Sequence, residues 1–68
     1  MRITFDSDAD SAYIYFKKIS AGEVMKTISL NDSINVDLDN KGKTLGIEII
    51  NASKNLPKNT LKTCEVIS

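Results

Sequence analysis

Ile34-Asn35-Val36-Asp37-Leu38 and Leu45-Gly46-Ile47-Glu48-Ile49 are two runs of strict apolar–polar alternation, joined by Asp39-Asn40-Lys41-Gly42-Lys43-Thr44. A period of two puts every second side chain on the same face, which is the pattern of a half-buried strand. A polar, glycine-bearing connection between two such runs makes a β-hairpin. Parity sets its register. Pairing Leu38 with Leu45, Val36 with Ile47 and Ile34 with Ile49 keeps the apolar sides together, whereas a one-residue slip turns one set into water. The same register sets Asn35 opposite Glu48 and Asp37 opposite Gly46 on the polar side. Gly42 is the residue free to take a positive φ at the turn or a bulge.

Upstream, Met1 to Phe5 alternates and reads as a strand, and Asp6-Ser7-Asp8-Ala9-Asp10 reads as a turn whose side chains bond their own backbone. Ser11 to Phe16 alternates again, with Ala12, Ile14 and Phe16 on one face and Ser11, Tyr13 and Tyr15 on the other. Ser20-Ala21-Gly22 breaks the pattern. Val24 to Leu30 is β-compatible, with Lys26 intruding among Val24, Ile28 and Leu30, and Asn31-Asp32 turns the chain into the hairpin. Beyond Ile50 the alternation ends. Asn51 to Asn55 reads as a cap or helical turn, Pro57 suits a first helical turn, and Leu61 and Cys64 share a helix face with Ile67 near it.

The expected fold is therefore mainly β (α+β at most): an antiparallel five-strand meander with a curved sheet over residues 1–50. A tail with a short helical segment follows over 51–68, the whole forming a single domain over 1–68. Five strands spaced about 4.8 Å apart make a sheet roughly 20–25 Å wide, whereas one helix covers about 10 Å. Either the sheet curls on itself or another chain covers the remaining apolar face.

Composition limits the chemistry. A chain of 68 residues buries only about 60% of its unfolded surface, and chains this small lean on disulfides, metals or a second subunit. One cysteine closes no internal disulfide, and without histidine the standard zinc ligand sets and a Ser-His-Asp triad are excluded. Association into a homodimer is the expected remedy. Nine basic and nine acidic residues cancel, so no general attraction to nucleic acid or anionic lipid is expected. No apolar run is long enough to span a membrane and no signal-peptide pattern opens the chain, so a cytoplasmic location is expected.

The pattern Arg2-Ile3-Thr4-Phe5-Asp6-x-Asp8-Ala9-Asp10-x-Ala12-Tyr13-Ile14 resembles a small prokaryotic family. So do Ile34-x-Val36-Asp37-Leu38-Asp39-x-x-Gly42, Leu45-Gly46-Ile47-Glu48-Ile49 and Asn51-Ala52-Ser53. This is the YuzE-like family, a domain of unknown function (DUF2283), and the resemblance covers about residues 1 to 57. It implies a compact, β-rich domain and brings no catalytic residues with it. The chain departs from the pattern at Tyr15, where an arginine or similar polar residue is common, and in its asparagine-rich tail.

Candidate sites follow from face sharing. Asp6, Asp8 and Asp10 open like a calcium loop, but Ser11 and Lys17 stand where that loop needs glycine and glutamate, so a turn is the reading. Asp37 and Glu48, with Asn35, share the polar face of the hairpin, where paired carboxylates can divide acid and base roles. Tyr13 and Tyr15 share the outward face of their strand and carry large contact area with a polar handle, which suits a protein interface. Stacking on bases needs a basic surround, and Asp37 and Glu48 argue against one. Cys64 has no histidine base and reads as a small buried apolar residue. The expected function is a noncatalytic protein-binding or assembly module, antitoxin-like in size and charge. It needs no cofactor, and its binding surface is formed by Tyr13, Tyr15, Asn35, Asp37 and Glu48. The rival reading is a small-ligand or divalent-metal activity of the acidic residues at a subunit interface.

Overall fold

The structure, a computed structural model, describes residues 1–67; Ser68, the last residue of the expected tail, lies outside the described residues. Six strands, β1 (Arg2–Asp6), β2 (Ser11–Tyr15), β3 (Lys26–Ser29), β4 (Ile34–Leu38), β5 (Thr44–Ile50) and β6 (Glu65–Ile67), form one sheet. Helices α1 (Ala52–Asn55) and α2 (Lys58–Thr63) lie between β5 and β6. The mainly β class is as expected. The strand order is not a simple meander: it runs β3-β4-β5-β2-β1-β6.

The departure has a physical cause. The connection from Phe16 to Met25 is ten residues long, well beyond the roughly 2–5 residues of a hairpin loop, so β2 is not held beside β3. It pairs instead with β5, setting Ala12 against Ile49 and Ile14 against Ile47. The centre of the sheet thus goes to β5 and β2. β3, which carries Lys26 on its apolar side, goes to the margin.

The hairpin register is as the parity argument requires at Ile34–Ile49, Asn35–Glu48, Val36–Ile47 and Asp37–Gly46. At its open end it differs. Leu38 faces Thr44 rather than Leu45, and the ladder shifts between Asp37 and Leu38. Asp39 causes this. Its carboxylate accepts the Lys41 and Lys43 N–H groups, each at 2.9 Å, and its own N–H donates to the Lys43 carbonyl at 2.9 Å. The loop closes around that side chain, with Gly42 at φ +80°, and brings Thr44 opposite Leu38. Backbone bonds from Lys43 and Lys41 hold the Asp39 carboxyl below its usual range.

The turns use their polar side chains as expected. Asp6 accepts the Asp8 and Ala9 N–H groups, and Asn31 accepts those of Ser33 and Ile34. Asp10, in the left-handed region at φ 52°, reaches further. Its carbonyl accepts the Ala52 N–H at 2.9 Å, and its carboxylate accepts the Ser53 N–H at 2.9 Å and the Ser53 hydroxyl at 2.7 Å. The first free N–H groups of α1 are therefore satisfied from the β1–β2 turn, which docks the helix on the sheet.

The core sits beneath that helix. Ala12, Ile49 and Ala52 are buried together, with Phe5, Ile34, Ile47, Leu56 and Leu61 packed around them. Cys64 is buried, as expected, but Ile67 belongs to β6 and is exposed rather than lying along a helix face. Among the described residues no helix is long and apolar enough to cross a membrane. Leu45 is 2% exposed, and truncating a buried leucine to alanine costs about 2–5 kcal/mol. In a chain this small that is much of the total stability. Leu45→Ala is therefore expected to lower the thermal midpoint by at least about 10 °C in a circular-dichroism melt.

Candidate functional site

The five residues singled out from the sequence, Tyr13, Tyr15, Asn35, Asp37 and Glu48, lie on one face of the sheet. The register places them there: Tyr13 opposite Glu48, Tyr15 opposite Gly46, Asn35 opposite Glu48 and Asp37 opposite Gly46. The helices pack against Ala12 and Ile49, on the other face.

These side chains form a linked surface. The Tyr13 hydroxyl donates to Asp37 Oδ2 at 2.5 Å, and the Thr27 hydroxyl donates to Asp37 Oδ1 at 2.6 Å. Asn35 Nδ2 donates to Glu48 Oε1 at 3.1 Å. Tyr13 starts on β2 and ends against β4, so its ring crosses β5. Gly46 makes the crossing possible: a Cβ built at that residue falls 2.3 Å from Tyr13 Cε1 and 2.5 Å from its hydroxyl oxygen. The glycine in Leu45-Gly46-Ile47 is a seat for an aromatic ring.

The surface continues across β2 to β1. The rings of Tyr13 and Tyr15 lie 4.6 Å apart at 51°, within the range of favourable tilted pairs. The Arg2 guanidinium sits 5.4 Å from the centre of the Tyr15 ring and donates to Glu65 Oε2 at 2.6 Å. Each partner of that exposed ion pair favours the charged form of the other, raising the Arg2 pKa and lowering that of Glu65. Sequence reading missed Arg2, Thr27 and Glu65. Parity carried the signal for Arg2, which faces Tyr15 across the first hairpin.

The chemistry open to this surface is narrow. Burial raises the Tyr13 pKa well above the ordinary 10.0, and the bond to Asp37, its charge and that of Glu48 reinforce the shift. The phenol stays protonated at neutral pH and acts as a donor. Both Asp37 oxygens already accept hydroxyls. Among the described residues no group of three or more His, Cys, Asp or Glu side chains is placed to hold a metal ion. An open concavity of about 620 Å³ lies beside Tyr15 between Arg2, Phe16 and Lys18, and neither Asp37 nor Glu48 lines it.

Comparison with protein families matches residues 2–53 to the family described as protein of unknown function (DUF2283). The chain belongs to this family. Neither a curated protein nor a solved structure matches it significantly. The matched stretch holds the residues that build the surface on β1, β2, β3, β4 and β5, together with the Asp10–Ser53 tie that seats α1.

Tyr13→Phe removes one partly buried hydrogen bond and is expected to cost about 1 kcal/mol at neutral pH. A raised folded-state pKa favours the protonated form, so its contribution is complete below pH 10.0, the ordinary tyrosine value, and is lost as pH climbs above it toward the folded value. The stability gap between wild type and Tyr13→Phe should therefore shrink in alkaline urea titrations. Ultraviolet titration of the folded protein should show a late tyrosinate component that disappears in the variant. Gly46→Ala, which drives a methyl group into the Tyr13 ring, is expected to cost at least about 2 kcal/mol by urea denaturation.

Proposed function

We propose that this chain is a noncatalytic, self-associating protein-binding module of the cytoplasm, an antitoxin-like regulator that presents its tyrosine face to a protein partner. The observation that carries this reading is the linkage of that face. Tyr13, Asp37 and Thr27 are joined in one hydrogen-bonded unit, Asn35 and Glu48 in another, and Arg2, Tyr15 and Glu65 in a third. A surface whose rotamers are already fixed loses little side-chain entropy on contact, and tyrosine supplies large area with a polar rim. The same linkage ties up the groups that an enzyme would need free.

Self-association rests on the apolar side chains. The buried apolar set is short, consisting of Ala12, Leu45, Ile49, Ala52 and Cys64, while several large apolar side chains stay exposed. A second copy, always present at the chain's own concentration, is the simplest source of further burial.

Native mass spectrometry of the untagged protein, gently purified from its own cells, tests both halves. A mass containing a second kind of chain is expected on a homodimeric core. A bare homodimer would remove the partner, and a monomer at micromolar concentration would remove self-association. Where the heteromer is found, Tyr15→Ala combined with Glu48→Arg should weaken it at least about tenfold, equivalent to about 1.4 kcal/mol. The far-ultraviolet spectrum should be unchanged.

A further inference from the structure

Four of the large apolar side chains that stay exposed gather at the β3 edge of the sheet. Val24, Met25, Ile28 and Leu30 are 37%, 64%, 38% and 64% exposed, all on β3 or its immediate flanks. β3 is the marginal strand and pairs with β4 alone. Natural sheets guard such margins with proline, bulges, charges or very short strands. Between Val24 and Leu30 there is no proline, and Lys26 is the one charge. The opposite margin, β6, also exposes Val66 and Ile67, but it is three residues long and its Glu65 is bound to Arg2.

We propose that β3 of a second copy pairs antiparallel with β3, with Ile28 on the two-fold axis, so that the two sheets become one. The inference rests on the self-association reading and supplies its geometry. Hydrogen bonding selects the register. The Leu30 N–H donates to the Ile34 carbonyl at 2.8 Å. By the two-residue alternation, the backbone groups of Ile28 also face β4, while those of Thr27 and Ser29 face the open edge. An axis at Ile28 pairs Thr27 of each copy with Ser29 of the other and satisfies those outward groups. An axis at Thr27 would need an outward N–H from Met25, which donates to the Leu38 carbonyl at 2.9 Å. An axis between two residues would set apolar side chains against polar ones.

Side chains agree with that choice. Ile28 meets its own counterpart, and the aliphatic row of Ile3, Ile14, Ile47, Val36 and Ile28, which the register aligns across five strands, continues into the second copy. Lys26 faces Leu30 of the second copy rather than a like charge. Lys26 makes no ion pair inside the chain among the described residues.

The test is disulfide trapping. In this register Ile28 forms a non-hydrogen-bonded pair, with Cα atoms about 4.5 Å apart, inside the span that a disulfide bridges. Ile28→Cys under mild oxidation is expected to run mostly as a covalent dimer on a non-reducing gel. Val36→Cys and the wild type, whose Cys64 is buried, are expected to stay uncrosslinked. Ser29→Pro, which removes an outward N–H and leaves the β4 ladder intact, is expected to shift the native mass to monomer without changing the far-ultraviolet spectrum. A wild-type dimer in which Ile28→Cys fails to crosslink, or in which Val36→Cys crosslinks instead, would overturn the edge pairing and leave self-association standing. A wild-type monomer would overturn both.

Discussion

The pairing of β2 with β5 is the constraint from which the rest of the molecule follows. It sets the small side chain of Ala12 against Ile49, and that leaves room for Ala52 to bring the backbone of α1 down onto the sheet. Asn51, at φ 53°, turns the chain from β5 into α1 without a loop. Asp10 then satisfies the helix's first N–H groups from the adjacent β1–β2 turn. A larger residue at either alanine would hold the helix away, and without Asp10 two N–H groups would lose their partners. The family pattern Asp10-x-Ala12 and Asn51-Ala52-Ser53 is therefore one device read in two pieces.

The parts legible in the sequence are those governed by period-two alternation. The hairpin pairs from Ile34–Ile49 to Asp37–Gly46 follow from parity, as does the gathering of Tyr13, Tyr15, Asn35, Asp37 and Glu48 on one face. What alternation does not encode is which strands are neighbours. Nothing local in Ser11 to Phe16 says that its partner lies beyond the next two strands, because that choice is made by burial across the whole sheet. The shift at Leu38 is set by hydrogen bonds from one side chain, Asp39, which outweigh a Leu–Leu contact at the open end of the hairpin. β6, with three residues in parallel pairing, is too short to carry a period of its own.

Parity also gives face but not reach. Asp37 and Glu48 share a side of the hairpin, which made them a candidate acid–base pair. The structure gives each carboxylate a different partner, with Asp37 held by hydroxyls from β2 and β3 and Glu48 by Asn35. The decisive residue is the one with no side chain. Gly46 gives up packing and strand propensity, and in return the Tyr13 ring crosses a strand and joins β2 to β4. Read alone, Gly46 is an isolated glycine; read beside Tyr13, it is the seat of the polar face.

The two surfaces differ in how they would bind, and the difference bears on the geometry of the assembly. The tyrosine face has its donors and acceptors linked to one another, so it offers shape and aromatic area. The β3 edge offers unpaired backbone groups, which are directional and impose a register. Antiparallel pairing about a two-fold axis uses the same edge on both copies. In such a dimer the joined sheet would end at β6 on both sides, a three-residue strand whose Glu65 is bound to Arg2. A two-fold axis normal to the sheet keeps each face on its own side, so the proposed pairing would leave both tyrosine faces on the same side of the joined sheet.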